Sequence, residues 1–275
     1  MRLKDFRKLS DTRRRLGSQA VSDVVTINLP HRDTPDLVEA VLPLWALQTV
    51  PTEIHVIDTG SIAKNLERVR VACEKHGALL FTLPAREWRH ASENVAVACD
   101  LSQASCQSEK LLFSHVDVFP RRRDLVAELA ERCQADAPVV GYEISPRDEA
   151  QGKLAQLWRG MVGHSLTIAH VPTLRRLGIT WGFDRAFEFY GFSDDDRPAW
   201  DTEVSFNLAL RAAGIAPVLI GHDENRTHLV DGRHGHARSY PGSTIHHHQH
   251  ALVAREWVDQ EIAEAAERVR QWTTP

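Results

Sequence analysis

Residues 110–120 have the sequence KLLFSHVDVFP, and the rest of the chain is organised around this stretch. Its apolar run, 111–113, predicts a short strand buried in a sheet. His115 and Asp117 follow at a spacing that puts both side chains on the same side of an extended chain. Pro120 has no N–H to donate, so strand pairing should stop near it. The stretch predicts a metal-binding pair at the carboxyl end of a buried strand, where open α/β sheets bind ligands. The alternative is a strand end with two solvated polar residues.

Composition indicates an ordinary globular protein. The 275 residues are 43% hydrophobic and 25% charged, with a net charge of -4. The chain therefore has no overall basic field that would attract nucleic acid. No apolar run approaches the roughly 18 residues of a membrane span, so we expect no transmembrane segment. No signal peptide is visible. The four cysteines lack CxxC spacing, which is typical of reduced thiols in a cytoplasmic protein.

The chain divides into three predicted parts. Residues 1–21 form a basic arm, for which weak contact with an anionic surface and a solvated state both remain open. Residues 22–250 are predicted to form one domain. Residues 251–275 contain a C-terminal helix, predicted at 251–272, that packs on this domain.

Strands and helices alternate along the first half of the chain. The apolar runs predict strands at 24–29, 53–58, 78–83 and 111–113. Between them the sequence predicts a helix that starts at residues 33–35 and has an apolar face extending to Trp45, and helices at 62–76 and 91–107. This alternation predicts a parallel sheet with right-handed crossovers. After residue 121 the pattern predicts helices at 124–133, 172–177 and 201–213, and strands at 139–144, 166–169 and 216–220. The polar segments 145–160 and 222–250 are predicted to be loops, the second rich in histidine and arginine.

Four motifs occur in a recognisable order. Gln48-Thr49 precedes the strand and turn EIHVIDTGS at 53–61, and SHVDVFP occupies 114–120. WDTE at 200–203 opens a predicted helix that ends RAAG, and a late histidine, His228, follows the next strand. This order resembles the GT-A nucleotide-sugar glycosyltransferases, particularly the family-2-like group, over roughly residues 22–230.

The resemblance implies a fold and an activity. The fold is α/β, a single GT-A-like (nucleotide-diphospho-sugar transferase) domain with a mainly parallel central sheet flanked by helices. The activity is that of a glycosyltransferase, hexosyl or related, which moves a sugar from a nucleoside-diphosphate sugar to an acceptor hydroxyl. Inversion through a single displacement is favoured. The acceptor can be a glycan, a small molecule or a polymer.

The resemblance also implies the donor contacts. These nucleotide-binding residues are Pro30, Asp58, Ser61, Asn94, Asp117, Arg233 and Arg238. Asp58 at the end of a strand would accept a hydrogen bond from the base or ribose, and Gly60 permits the chain to turn tightly after that strand. An ordinary turn with local backbone bonds is the alternative for this element. Arg233 and Arg238 would clamp the diphosphate in a closing loop, or else lie in a solvated loop.

The predicted cation site consists of His115, Asp117 and His228. SHVDVFP stands where the family carries D-x-D, a motif that holds Mg²⁺ or Mn²⁺ against the diphosphate. His115 replaces the first aspartate, and imidazole favours Mn²⁺ over Mg²⁺. A metal-weak or metal-free enzyme stays open. The histidine-rich run 246–250 is predicted to lie at the surface.

The resemblance places the general base at Asp201. A helix N-terminus stabilises an ionised carboxylate, whereas burial against Trp200 would raise its pKa. The alternative role for Asp201 is that of an N-cap. The predicted acceptor contacts are Trp181, Asp184, Tyr190 and Trp200. Asp100 replaces the asparagine usual in the family, and its charge would repel a diphosphate unless it points away.

Two other functions are compatible with the sequence. A nucleotidyltransferase would use a similar sheet, but it usually carries a glycine-rich phosphate loop after the first strand, and residues 29–32 contain no glycine. A non-catalytic nucleotide- or carbohydrate-binding protein is favoured if the HVD sequence does not bind metal.

Overall fold

The computed structural model describes residues 23–84, 93–144, 160–182, 202–221, 224–230, 233–246 and 255–274. Within 224–230, 233–240 and 244–246 it describes the backbone alone. The basic arm at 1–21 lies outside the described residues, as does most of the predicted loop at 145–160.

A seven-stranded sheet forms the centre of the protein, in the order β3–β2–β1–β4–β7–β6–β8. Its strands are β1 (Val25–His31), β2 (Thr52–Asp58), β3 (Leu79–Thr82), β4 (Lys110–Ser114), β6 (Val139–Glu143), β7 (Val162–His170) and β8 (Val218–Ile220). All pairings are parallel except those of β7, which runs antiparallel to both β4 and β6. The prediction of a mainly parallel central sheet is confirmed.

Seven helices lie within the described ranges. They are α1 (Pro35–Ala46), α2 (Ala63–His76), α3 (Glu93–Ser105), α4 (Leu125–Arg132), α5 (Val171–Leu177), α6 (Thr202–Ala212) and α7 (Arg255–Thr273). Each corresponds to a predicted helix, with bounds shifted by a few residues at most. The helices flank the sheet, as the predicted α/β fold class requires.

Alternation along the strands divides the core between the two faces of the sheet. Leu112 on β4 packs in the cluster that contains the apolar face of α1, including the fully buried Trp45. Its neighbours Leu111 and Phe113 point to the other face, in a cluster with residues of α3, α5 and α6. The apolar run at 111–113 is buried on both faces because helices cover both sides of a parallel sheet.

The predicted end of β1 needs a correction. The ladder with β4 ends at Asn28, but the ladder with β2 continues through Pro30 to His31, which pairs with Asp58. A proline removes only the N–H and keeps its carbonyl, so it stops pairing on one side of a strand rather than on both. The extension brings His31 to the carboxyl end of the sheet.

The prediction of a loop over 222–250 is wrong. This segment contributes three strands, β9 (Glu224–Val230), β10 (Arg233–Tyr240) and β11 (Ser243–His246). With β5 (Val118–Pro120) they form an antiparallel sheet in the order β5–β11–β10–β9. Residues 115–117, which we call the HVD turn, lie between β4 and β5 and therefore connect the central sheet to this second sheet.

Helix α7 packs against α1. Val258 and Ala265 are buried in the cluster that includes α1. Arg255 forms an ion pair with Asp36, and Arg268 donates to the carbonyl of Pro120 at 3.3 Å. The domain boundaries themselves remain predictions.

The described residues bear on two expectations from the sequence, one about membrane-spanning segments and one about the cysteines. None of the helices in the described ranges is both long and apolar enough to span a lipid bilayer. All four cysteines are buried and free of disulfides. Burial raises the pKa of the Cys73 and Cys133 thiols to about 12. They are therefore unreactive near neutral pH.

Candidate functional site

Three neighbouring strands end at the same edge of the central sheet. β2 ends at Asp58 and β1 ends at His31, and these two residues are register partners. β4, on the other side of β1, is followed directly by His115. In open α/β sheets this carboxyl edge is where ligands bind. We call it the carboxyl edge below.

The carboxylate of Asp58 is held by the turn that follows it. It accepts hydrogen bonds from the backbone N–H groups of Gly60 and Ser61, each at 3.1 Å. Gly60 has φ 110, a left-handed conformation that favours glycine. The local bonds of an ordinary turn are therefore present, and they orient a buried carboxylate at the carboxyl edge.

Asp33 fixes the loop after β1 to the loop after β2. Its backbone N–H donates to Ser61 Oγ at 2.7 Å, and its Oδ1 accepts from Ile62 N at 2.8 Å and Asn65 Nδ2 at 3.1 Å. Asp33 has φ 53, a conformation that aspartate tolerates better than most residues. Ser61 is thus part of this loop contact. Its role toward a nucleotide remains a prediction.

His31 is a site residue that the sequence reasoning missed. Its side chain is buried, and its Nε2 lies 3.6 Å from Asp58 Oδ1. Neither ring nitrogen has a hydrogen-bond partner among the described residues. Leaving a buried polar group unsatisfied costs about 1–3 kcal/mol. Burial lowers the pKa of His31, and the nearby carboxylates of Asp58 and Asp33 only partly oppose this effect.

The lowered pKa of His31 predicts a loss of stability in acid. The unfolded chain takes up a proton near the ordinary value of 6.5, whereas the folded chain does so only at lower pH. The free energy of unfolding should therefore fall as the pH drops below 6.5, by at most about 1.4 kcal/mol per pH unit from this one group. Urea unfolding of the wild type and His31→Gln at pH 7.5, 6.5 and 5.5 measures this change in the free energy of unfolding.

Among the described residues, His76 and His170 also have lowered pKa values, but they titrate in both proteins and cancel in the comparison. We expect the variant to lose less stability between pH 6.5 and 5.5 than the wild type. Identical pH dependence in the two proteins would show that His31 does not titrate in this way.

Asn94 and Pro30 lie beside this edge. Asn94 Nδ2 is 3.4 Å from Thr59 Oγ1, which itself donates to the carbonyl of His31 at 3.0 Å. Pro30 pairs with Ile57 in the ladder between β1 and β2. The structure therefore gathers Pro30, Asp58, Ser61 and Asn94 around the ends of β1 and β2.

His115 and Asp117 lie in the turn between β4 and β5. The N–H of Val118 donates to the carbonyl of His115 at 3.3 Å and closes the turn. Asp117 is only 5% exposed. The ring of His115 contacts the ring of His164, with centroids 4.3 Å apart. The HVD turn therefore meets β7 as well as the carboxyl edge.

His164 and Glu203 were also missed from the sequence. His164 lies on β7, and its Nδ1 lies next to Glu203 Oε1 in the first turn of α6. Both side chains are largely buried, at 13% and 11% exposure. They have no recognisable sequence signal, because the antiparallel strand and α6 meet only in the fold.

Trp181 is a core residue in this structure. Its ring is fully buried and stacks on Phe206, with centroids 4.0 Å apart and an interplanar angle of 2°. Phe113 packs edge-on against it at 4.8 Å. A ring enclosed in this way offers no face to a sugar, so we do not retain Trp181 as an acceptor contact.

Asp100 is directed toward the segment after α5. Its Oδ1 accepts a hydrogen bond from the backbone N–H of Trp181 at 2.7 Å. The Asp100 carboxylate, whose charge would repel a diphosphate, is thus hydrogen-bonded to the backbone of Trp181.

The strand order separates His228 from the HVD turn. His228 lies on β9, opposite Gly235 on β10, and β9 is three strands from β5. Three strand spacings are about 14 Å. Arg233 and Arg238 have their backbone on β10. The structure thus places His115 and Asp117 in one turn and places His228 three strands away from β5.

The described side chains supply only some of the ligands that a divalent cation needs. No group of three or more His, Cys, Asp or Glu side chains within the described ranges is placed to hold a metal ion. His115 and Asp117 nevertheless supply an imidazole and a carboxylate, both suitable donors for Mn²⁺. The residues present fit a cation that takes its other ligands from a bound substrate.

Several predicted site residues lie outside the described residues. These are the base Asp201 and the acceptor candidates Asp184, Tyr190 and Trp200. They remain predictions from the sequence.

The opposite edge of the sheet carries a separate cleft of about 370 Å³. It is lined by Gln48, Thr52 and His76 among others, where β2 begins. It lies away from the carboxyl edge and contains none of the predicted site residues.

Comparison with known proteins finds similarity only to solved structures. No family model matches the chain, and no curated protein matches it. The mannosyltransferase PcManGT from Pyrobaculum calidifontis, solved with GDP-Man and Mn²⁺, is 20% identical over 64% of this chain, with a TM-score of 0.44. The match covers 54% of that chain and 49% of a Staphylococcus aureus TarS chain solved with UDP, so the protein spans about half of each.

Two further glycosyltransferases match over more of their length. The galactosyltransferase LgtC is 14% identical, with 72% of this chain and 73% of that chain covered and a TM-score of 0.49. Glucosyl-3-phosphoglycerate synthase from Mycobacterium tuberculosis is 14% identical, with 78% and 74% covered and a TM-score of 0.47. The similarity is distant in each case, and the chain's own residues carry the proposal below.

Proposed function

We propose that this protein transfers a sugar from a nucleoside-diphosphate sugar to an acceptor hydroxyl. The observation that carries the proposal is the meeting of the buried His31–Asp58 pair and the HVD turn at neighbouring strand ends. The first supplies groups for a base or ribose, and the second supplies groups for a cation beside the diphosphate. The motifs around both elements resemble those of GT-A glycosyltransferases in the same order.

The donor's nucleoside would bind at the ends of β1 and β2. Asp58 is oriented by two backbone N–H groups, and its carboxylate oxygens can accept a further hydrogen bond from a base N–H or a ribose hydroxyl. His31 lies beside it with two nitrogens that lack protein partners among the described residues. A ligand that satisfies the imidazole recovers the cost of burying it.

The diphosphate would lie toward the HVD turn, where His115 and Asp117 would hold a divalent cation, Mn²⁺ in preference to Mg²⁺. When bound, such a cation neutralises the charge that develops on the leaving diphosphate. The two residues contribute the donor atoms and fix them at the turn between β4 and β5. Arg233 and Arg238 are proposed to add positive charge from β10.

The chemical step would be a single displacement with inversion. The acceptor oxygen forms a bond to the anomeric carbon while the bond from that carbon to the diphosphate oxygen breaks. Asp201 would take the proton of the acceptor hydroxyl, and the bonding electron pair leaves with the nucleoside diphosphate. Asp184, Tyr190 and Trp200 are proposed to contact the acceptor. Binding both substrates in line supplies much of the rate by proximity.

Release of nucleoside diphosphate from a panel of UDP-, GDP- and dTDP-sugars tests the function. The assay is run with Mn²⁺ or EDTA and with a mixture of sugar and polyol acceptors. Acceptor-dependent release from at least one donor is the expected result. Cleavage between the two phosphates would instead favour a nucleotidyl-transfer or hydrolytic enzyme. Binding of donors without any turnover would favour a non-catalytic protein.

A further inference from the structure

His31 is a buried residue at the carboxyl edge whose hydrogen bonds the described residues do not complete. It is only 4% exposed, and neither ring nitrogen has a hydrogen-bond partner among the described residues. Its register partner Asp58 is 2% exposed and accepts from two backbone N–H groups. Buried polar groups in native proteins are nearly always hydrogen-bonded. A ligand bound at this edge would supply the hydrogen bond that the imidazole lacks.

The neighbouring carboxylate decides which nitrogen of His31 can accept a hydrogen bond. Nε2 lies 3.6 Å from Asp58 Oδ1, so a proton on Nε2 faces a negative charge and is favoured there. Burial lowers the pKa of His31, so the ring is neutral at pH 7.5 and carries one proton. The lone pair is then on Nδ1. His31 and Asp58 together offer a ligand two acceptors, an imidazole nitrogen and a carboxylate.

The bases of nucleoside diphosphates differ in how well they match two acceptors. Guanine and uracil each have a ring N–H beside a carbonyl group, N1–H in guanine and N3–H in uracil. On the other side of that N–H, guanine carries the amine N2–H₂, a donor, whereas uracil and thymine carry a second carbonyl oxygen, an acceptor. A second acceptor beside Asp58 therefore pairs with guanine, but it would face the O2 lone pairs of uracil or thymine and stay unpaired.

We propose that His31 makes the donor site selective for guanine, with Asp58 accepting from N1–H and His31 Nδ1 accepting from N2–H₂. This inference rests on the proposed function and narrows its donor to a guanosine-diphosphate sugar. His31 is then a specificity-determining residue that contacts the base and takes no part in the chemical step. Rejection of uracil follows because a buried polar group without its partner is costly.

Titration of the wild type with GDP, IDP and UDP by calorimetry, in one Mn²⁺ buffer at pH 7.5, tests the proposal. IDP, the inosine nucleotide, differs from GDP only in lacking the N2 amine, so this comparison isolates the contact assigned to His31. The diphosphate is common to all three ligands, and its contribution cancels in the affinity ratios. GDP should bind more tightly than IDP and more tightly than UDP, by about tenfold or more in each case.

His31→Phe removes the Nδ1 acceptor and keeps an aromatic ring at the end of β1. In this variant GDP and IDP should bind with nearly equal affinity, because the amine no longer has a partner. His170→Phe is the matched control. His170 pairs with Lys110, where β4 begins, and so lies at the opposite edge of the sheet. The control should keep the wild-type preference for GDP.

Nitrogen-15 NMR of the imidazole rings gives a second measurement, on the unaltered protein. A ring nitrogen with a lone pair and one with a proton differ widely in chemical shift. The His31 signals are those absent from His31→Phe or, if that variant does not fold, from His31→Gln. They should show the proton on Nε2, and the Nδ1 signal should move more with GDP than with IDP.

Three results would overturn the proposal. The first is a wild type that binds GDP no more tightly than IDP or UDP. The second is a folded His31→Phe that keeps the wild-type preference for GDP over IDP. The third is a proton on Nδ1 of His31 in the wild type.

Failure of this proposal is distinguishable from failure of the proposed function. If the protein transfers sugar from a UDP- or dTDP-sugar in preference to a GDP-sugar, the function stands and the assignment of guanine fails. If GDP is preferred through His31 but no GDP-sugar is turned over, the assignment stands and the transferase function fails.

Discussion

Asp201→Asn is expected to reduce the turnover number by about two orders of magnitude or more, with donor affinity unchanged. The change removes the group proposed to accept the proton of the acceptor hydroxyl and keeps its size. Donor binding is assigned to the carboxyl edge and the HVD turn, which the substitution does not alter. Steady-state kinetics with the preferred donor and acceptor give kcat, and calorimetry gives the donor dissociation constant.

This substitution also separates the base from its alternative role as an N-cap. Asparagine caps helices about as well as aspartate, so the variant should remain as stable as the wild type. If Asp201 only caps α6, Asp201→Asn keeps full turnover, and that result would remove it from the mechanism. Asp195→Asn, in the acidic run 193–196, is the matched control and should keep kcat.

Asp117→Ala is expected to weaken donor binding in Mn²⁺ at least tenfold, about 1.4 kcal/mol. The reason is that Asp117 is the carboxylate proposed to bind the cation from the HVD turn, where it is only 5% exposed. Calorimetry with nucleoside diphosphate measures the change, and in EDTA the variant and the wild type should bind alike. Asp136→Ala, an exposed residue in the loop before β6, is the control. An unchanged titration in Mn²⁺ would reject the cation role.

The central sheet could be predicted because its strands are apolar and buried. The run 111–113 has no alternation, and the structure covers it with α1 on one face and with α3 and α6 on the other. Glycines also mark helix ends in this sequence. Gly178 and Gly214, which directly follow the helices predicted at 172–177 and 201–213, both adopt a left-handed conformation. Local signals of this kind do not depend on which elements meet in space.

The second sheet could not be found from apolar periodicity. β9 and β10 have the sequences ENRTHLV and RHGHARSY, which are too polar to look like half-buried strands. A different signal was present, because Asp231-Gly232 separates paired Val230 from Arg233, and Pro241-Gly242 separates paired Tyr240 from Ser243. Asp-Gly between two runs is typical of a hairpin, and Pro-Gly is typical of a turn.

The candidate site was predicted where it depends on strand ends and missed where it depends on packing. Asp58 and the HVD turn follow apolar runs, and the structure brings both to the carboxyl edge. His31 was missed because Pro30 was taken to end β1 on both sides. His164 and Glu203 were missed because their pairing joins β7 to α6. Trp181 was assigned to the acceptor from its residue type, but its stacking on Phe206 buries it.

The central claim is that the carboxyl edge binds the nucleoside diphosphate of a sugar donor. Calorimetric titration of the wild type and Asp58→Ala with UDP, GDP and dTDP in Mn²⁺ tests it most directly. We predict saturable binding of at least one nucleotide by the wild type and at least tenfold weaker binding by the variant, with both proteins folded. Failure of the wild type to bind any of the three, or equal binding by Asp58→Ala, would contradict the account.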